Sequence, residues 1–163
     1  VSETRPEAAA PTTPLVVHAP VDGTVLALAD VPDPVFAGAM VGPGLAIAPR
    51  VDGGAVAAVA PVAGTIAKLH PHAFVVAADG RAVLVHLGLD TVQLAGEGFE
   101  LVVAEGDRVD VGDVVVRWDP AAVEAGGRSP VCPVVALDGP TEVAGRVAPG
   151  AAVTAGDPLF AWE

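Results

Sequence analysis

The sequence predicts an all-β protein: an antiparallel β-sandwich or partly closed barrel with at most short helical turns. Three observations carry this. Nineteen glycines and sixteen prolines are spread along 163 residues, which suits short strands and turns rather than long helices. The apolar content, 52% of residues, is nearly all Ala, Val and Leu and falls in short, often alternating runs. Two segments also recur. APVDGTVLAL (19–28) returns as APVAGTIAKL (60–69), and EGDRVDVGDVVVRW (105–118) returns as PGAAVTAGDPLFAW (149–162). Paired echoes of this kind predict pseudo-symmetric halves.

Taken in order, residues 1–14 (VSETRPEAAAPTTP) are acidic and Pro-rich and read as a disordered tail or linker, with too little to bury. They lack the basic and then apolar pattern of a signal peptide. Residues 15–163 read as a single domain, long enough for a core without staples. In the first echo a strand follows a turn closed by Gly23 or Gly64. The apolar run from Pro34 to Pro49 is interrupted by Gly and Pro and is too short to span a bilayer. Strand candidates outside the echoes are 44–48, 55–59, 73–78, 81–87, 98–103, 132–136 and 143–147. The second echo reads as a turn, a short strand, the dipeptide Gly-Asp, and an alternating strand ending in Trp118 or Trp162. One helical turn stands outside this pattern, DPAAVEAGG (119–127), with Asp119 as N-cap, Pro120 at the first helical position and Gly as the stop.

The net charge of −12 argues against a nucleic-acid or anionic-membrane binder and favours a protein partner with a basic patch. Cys132 is the single cysteine, so an intrachain disulfide and a multi-thiolate zinc site are both excluded. A reducing cytoplasm is the expected location.

The chemistry gathers in LHPHAFVVAADGRAVLVHLGLDTVQLAGEGF (69–99), which holds His70, His72 and His86, three of the four histidines. His72 and His86 lie in two apolar strand patterns, where an unsatisfied imidazole would cost about 1–3 kcal/mol. Alternation puts Val83, Val85 and Leu87 on one face and Leu84 and His86 on the other. The carbonyl of Gly88 can accept a proton from Nδ1 of His86, leaving Nε2 unprotonated, as a histidine nucleophile requires. The turn ADGR reverses the chain, so that a hairpin can bring His72 close to His86. Two neutral imidazoles suit a metal or a phosphoryl group. Zinc takes three or four ligands, so two histidines fall short, and Asp90 or His70 is a candidate third.

Gly80, Val83-Leu84-Val85, His86, Leu87, Gly88, Leu89, Asp90, Thr91 and Val92 fit, without mismatch, the signature of the glucose-type IIA proteins of the bacterial sugar phosphotransferase system. The chain resembles that family from about residue 15 to 163. LAGEGF (94–99), VPDPVFAGAMVGPGLAI (31–47), GTIAKLHPHAF (64–74) and EGDRVDVGD (105–113) are similar as well. The resemblance implies an antiparallel β-sandwich (barrel-sandwich hybrid) and a phosphotransferase component with a covalent phosphohistidine and no required cofactor. It implies that His86 takes a phosphoryl group on Nε2 from phospho-HPr and passes it to the IIB domain of a sugar permease. His72 would hydrogen-bond that group. Val35, Phe36, Met40, Val41 and Val92 would rim a shallow apolar depression, flanked by Asp33 and Asp90, which would meet an arginine of HPr. Regulatory partner proteins, and zinc held by His72 and His86 adventitiously or shared with a partner, are also compatible with the resemblance. His70 departs from the family, which has Thr there, and is a candidate third polar group.

Two other classes compete. A lipoyl or biotinyl carrier shares the strand-turn rhythm but needs a lysine at a hairpin tip, and Lys68 lies inside a strand pattern. A zinc peptidase with an H-x-H pair is imitated by residues 70–72, but nothing before residue 70 supplies its upstream His and Asp.

Overall fold

The computed structural model describes residues 15–38, 41–51, 54–78, 80–137, 143–144 and 147–162. The 1–14 tail, Met40 and the Asp79 turn position lie outside them. In chain order the elements are β1 (Leu15–His18), β2 (Gly23–Ala27), α1 (Pro34–Ala37), β3 (Gly44–Pro49), β4 (Val56–Val59), β5 (Gly64–His70), β6 (Ala73–Ala78) and β7 (Arg81–His86). There follow β8 (Phe99–Leu101), β9 (Arg108–Val109), β10 (Val114–Trp118), α2 (Pro120–Ala125), β11 (Cys132–Ala136), β12 (Ala152–Val153) and β13 (Pro158–Trp162). Strand pairing is antiparallel throughout these elements, as the sequence predicts. No helix among the described residues is long and apolar enough to cross a membrane.

The echoes are structural. An eight-stranded sheet runs β12-β2-β3-β11-β7-β6-β5-β9, and its two halves mirror each other in register. Gly23 and Thr24 pair with Val153 and Ala152 on one side, and Gly64 and Thr65 with Val109 and Arg108 on the other. β1 lies on β13 and β4 on β10 in the same relation. The two Ala-Pro segments join the halves: His18 N donates to Pro61 O and Val59 N to Pro20 O, each at 2.8 Å. At the centre β7 meets β11, with Val85 opposite Val134.

The second echo supplies the turns. Asp113 accepts from Asp110 N and Asp157 from Thr154 N, each at 2.8 Å, so each Gly-Asp carboxylate closes its own turn. The turns then dock on the first echo, Gly112 N donating to Ala60 O and Gly156 N to Ala19 O.

Two apolar clusters form, one on each face of the central sheet. The larger centres on Trp118, Phe74, Phe160, Ile47 and Ile66, all essentially inaccessible. Each such side chain contributes about 1.5–3 kcal/mol, so this cluster carries the stability. The smaller, of Leu28, Val31, Phe36, Ala46, Leu89 and Val135, underlies the histidines.

The structure differs from the sequence reading at three places. α1 lies in the run from Pro34 to Pro49, for which the sequence reading names no helical turn. The Asp33 carboxylate accepts from Val35 N at 2.9 Å with Pro34 at the first helical position, as Asp119 accepts from Ala121 and Ala122 N ahead of α2. Segment 143–147 contributes, among its described residues, only the bridge Ala144–Ala161 and a bond from Val147 N to Leu159 O, not a strand. His72, read as lying in an apolar strand pattern, sits instead in the two-residue turn between β5 and β6, while His86 is the last residue of β7.

A Cβ on Gly23 would lie 2.1 Å from Ala48 O, and one on Gly64 would lie 2.1 Å from Ala77 O, against backbone in both cases. We expect Gly23→Ala and Gly64→Ala each to cost about 3 kcal/mol, the upper end of overpacking, in urea denaturation. Losses under about 0.5 kcal/mol would mean that neighbouring strands yield and the close approach is dispensable.

Candidate functional site

The β6–β7 hairpin sets Ala73 opposite His86, and just beyond it Leu87 N donates to His72 O at 2.7 Å. The imidazoles of His72 and His86 are thereby held with centroids 5.2 Å apart at 67°. His70, the last residue of β5, stacks on His72 at 5.7 Å with planes 25° apart. Phe36 of α1 presents its ring to His86, centroids 5.3 Å apart at 62°. Nδ1 of His86 donates to the carbonyl of Gly88, 2.5 Å away. In a neutral ring so bound, Nε2 carries the free lone pair.

A model of the phosphoenolpyruvate-dependent sugar phosphotransferase system family, EIIA 1, matches residues 15–141. The chain belongs to this family. It is 48% identical over 132 residues to the PTS system glucose-specific EIIA component of Halalkalibacterium halodurans, covering 79% of this chain and 73% of that protein. To the component of the same description from Staphylococcus aureus it is 41% identical over 124 residues, 74% of this chain and 72% of the relative. The structure superposes on glucose permease IIA from Mycoplasma capricolum with a TM-score of 0.82 and 35% identity, covering 93% of this chain and 97% of the other. This EIIA is a phosphocarrier of the sugar phosphotransferase system, and phosphoryl donors and acceptors are its partners. Nothing in these likenesses supports a biotinyl-type carrier or a peptidase, and Lys68 lies within β5 rather than at a hairpin tip.

The two central histidines of this EIIA are held below the ordinary value of 6.5. Burial is the main cause for His86, opposed by the Gly88 carbonyl and by the charges of Asp33 and Asp90. Burial also leads for His72, reinforced by repulsion from His86 and His70. Both rings are therefore neutral at pH 7, the state in which an imidazole nitrogen is a nucleophile.

Of the other residues singled out from sequence, Phe36 meets the His86 ring, and Asp33 and Asp90 act on its charge. Val35 and Val92 are exposed at 42% and 60%, whereas Phe36 is 8% exposed and belongs to the smaller cluster, with Val41 packed against it. Val35 and Val92 are thus accessible apolar side chains, whereas Phe36 is buried against the His86 ring. Asp33 is both N-cap of α1 and a charge felt by His86. Asp90 takes a left-handed backbone, φ 59°, unusual for a residue with a Cβ. Among the described residues, no cluster of three His, Cys, Asp or Glu side chains is arranged to hold a metal.

Sequence reasoning gave no role to Thr91, although it stands in the motif. It is buried, and its hydroxyl donates to Leu87 O at 2.7 Å. Ser129 was also missed: its carbonyl accepts from Leu89 N at 2.8 Å. Ser129 acts through its backbone, and no side-chain signal reveals that.

The lowered histidines set a pH dependence. The unfolded chain binds more protons than the folded one between the lowered values and 6.5, so their contribution to stability is full above pH 6.5. It is lost as pH falls through the folded-state values. We expect the urea midpoint to fall between pH 8 and 5, and the double variant His72→Gln, His86→Gln to flatten that fall. An unchanged slope in the double variant would assign the acid loss to other groups.

Proposed function

We propose that His86 accepts the phosphoryl group through Nε2 from the phosphohistidine of HPr and passes it to a cysteine of a permease IIB domain. The observation that carries this reading is the bond from Nδ1 to the Gly88 carbonyl, which commits one nitrogen and leaves the other as the nucleophile. In the first step a P–N bond to HPr breaks as the bond to His86 Nε2 forms, and the HPr imidazole leaves with its electron pair. Positive charge developing on the His86 ring is shared with Gly88 O through the Nδ1–H bond. In the second step a IIB thiolate attacks phosphorus, and His86 leaves as the neutral imidazole. Transfer of this kind asks the protein mainly for positioning and electrostatic help. An apolar rim of Val35, Phe36, Val41 and Val92 is read as keeping water from the phosphohistidine.

His72, its ring centroid 5.2 Å from that of His86, is read as donor to a phosphoryl oxygen, and His70, stacked on His72, as its outer neighbour. No cofactor is needed for either step; zinc, if bound by the two imidazoles, would require ligands from a partner. A permease partner would put this work at the cytoplasmic face of the membrane, with residues 15–163 read as one IIA unit.

Phosphoenolpyruvate, enzyme I and HPr supply the test. His86→Gln is expected to abolish labelling of the protein. His72→Gln is expected to be labelled by HPr but to stall in transfer to IIB, because an amide can bond one phosphoryl oxygen yet cannot exchange a proton with it. Full labelling of His86→Gln would move the acceptor elsewhere, and normal sugar phosphorylation by His72→Gln would remove its role.

Asp33 and Asp90 are read as the charges that meet an arginine of HPr. Asn keeps the cap at 33 and tolerates the left-handed backbone at 90, so the Asn variants isolate charge. The double variant is expected to be phosphorylated more slowly at low salt. Its rate should vary less between 0.1 M and 1 M salt, where the Debye length falls from about 10 Å to about 3 Å. An unaltered salt slope would return both residues to structural duty.

A further inference from the structure

Two successive peptide groups follow His86, and each is held at both ends. In the Leu87–Gly88 peptide the carbonyl accepts the Thr91 hydroxyl at 2.7 Å, and the amide faces the Cys132 sulfur. In the Gly88–Leu89 peptide the amide donates to Ser129 O at 2.8 Å, and the carbonyl accepts from Nδ1 of His86. In a trans peptide the N–H and C=O point in opposite directions, so whatever fixes one end aims the other. The bond to Ser129 thus points the Gly88 carbonyl at the imidazole. It also polarises that carbonyl, since hydrogen bonds in a chain reinforce one another.

The chain must turn sharply for this to happen. Gly88 has φ 80° and Asp90 φ 59°, so two left-handed residues lie within three positions. Asp90 has a Cβ and pays a conformational cost there, and the conformation persists only where the surroundings over-determine it. The Thr91 hydroxyl, reaching back four residues to Leu87, closes the loop around Asp90. Thr91 is 1% exposed and, among the described residues, is the one buried polar side chain. Its methyl lies where a Cβ on Gly88 would come within 2.7 Å, so it also backs the glycine. Of the groups that pin the two peptides, Leu87, Gly88, Leu89 and Ser129 contribute backbone, and Cys132 and His86 contribute a sulfur and the imidazole itself. Thr91 contributes a side-chain hydrogen bond that substitution can remove while leaving shape intact.

We propose that Thr91 is a positioning residue for His86: its hydroxyl holds the Leu87–Gly88 peptide so that the next carbonyl meets Nδ1 and keeps Nε2 free. Thr91 touches neither the imidazole nor the phosphoryl group, and it acts through two peptides. The proposal rests on the reading of His86 as the phosphoryl acceptor, but its first readout does not depend on phosphoryl transfer.

The test compares wild type, Thr91→Val and Thr91→Ser in full-length protein carrying ¹⁵N-histidine. Nitrogen shifts of unphosphorylated His86 at pH 8 report the tautomer, and labelling by phospho-HPr reports the rate. Wild type is expected to show the single Nδ1–H form. Thr91→Val, which keeps the shape and loses the hydroxyl, is expected to show both tautomers and a rate lower by about 10-fold, within the range that small misplacements cause. Thr91→Ser, which keeps the hydroxyl and loses the methyl, is expected to retain the wild-type tautomer and most of the rate. A merely structural Thr91 predicts the reverse order, because Ser opens a cavity and Val does not. A single Nδ1–H tautomer and wild-type rate in Thr91→Val would overturn the proposal, as would mixed tautomers in Thr91→Ser. If Thr91→Val does not fold, the tautomer in Thr91→Ser alone decides. A tautomer shift in Thr91→Val, with wild-type His86 never phosphorylated, would sustain this inference and sink the assignment of the acceptor.

Discussion

The register of β7 between β6 and β11 is the constraint on which the site depends. Val83, Val85 and Leu87 point into the main core with no exposure, while Leu84 and His86 face the smaller cluster. A slip of one residue would bury the imidazole among Phe74, Ile47 and Trp118 and turn three aliphatic side chains outward. At about 1.5–3 kcal/mol for each aliphatic side chain, that slip would cost a large part of a small domain's net stability. Pairing on both edges of β7 removes the alternative, and the position of His86 is inherited from the core.

The pseudo-symmetry explains why the site has components from distant parts of the chain. β2 leads to β3 as β5 leads to β6, with Thr24 opposite Ala48 and Thr65 opposite Ala77. The two connections differ in length. One is the two-residue turn that carries His72, and the other spans residues 28–43 and includes Asp33, α1 and Phe36. The short turn lies at the end of β7, since Ala73 pairs with His86. β3 instead begins at Gly44 opposite Val135, which pairs with Leu84, so the long connection starts from the other end and brings Phe36 across the face to His86. Short turn and long connection therefore converge on His86, one supplying an imidazole and the other an aromatic floor and a carboxylate. By the same symmetry the counterpart of His86 on β11 is Val135, part of the apolar cluster beneath the site. One half of the fold carries the chemistry, and the other half supports it.

Electrostatics and burial pull against each other at this place. Burial keeps both rings neutral and so nucleophilic, while Asp33, Asp90 and the Gly88 carbonyl favour positive charge on His86. Under the proposed assignment a phosphorylated His86 bears that positive charge, so the same groups suit the intermediate as well as the free protein. Asp33 and Asp90 each stand two residues before an exposed valine, Val35 and Val92.

Much was legible in the sequence, because alternation, turn chemistry and the echoed segments are local and repeat. The strands fell close to where the pattern put them, and α2 was readable from Asp119-Pro120. α1 carries the same Asp-Pro signal at 33–34 but is a single turn of four residues inside an apolar run, where periodicity cannot separate helix from loop. The motif around His86 identified the family, and the alternation placed His86 opposite the core. What sequence could not supply is which groups meet. Phe36 reaches His86 across 50 residues of chain, Ser129 acts through its carbonyl, and Thr91 looks in the sequence like one more turn residue. By itself the sequence determined the strands and the side of the sheet on which His86 stands, since those follow from hydrophobic period and turn type. The tertiary structure decided what surrounds the bond from His86 Nδ1 to the Gly88 carbonyl, namely Phe36, the Ser129 carbonyl and the Thr91 hydroxyl, since those contacts depend on backbone groups and distant loops that carry no residue-level pattern.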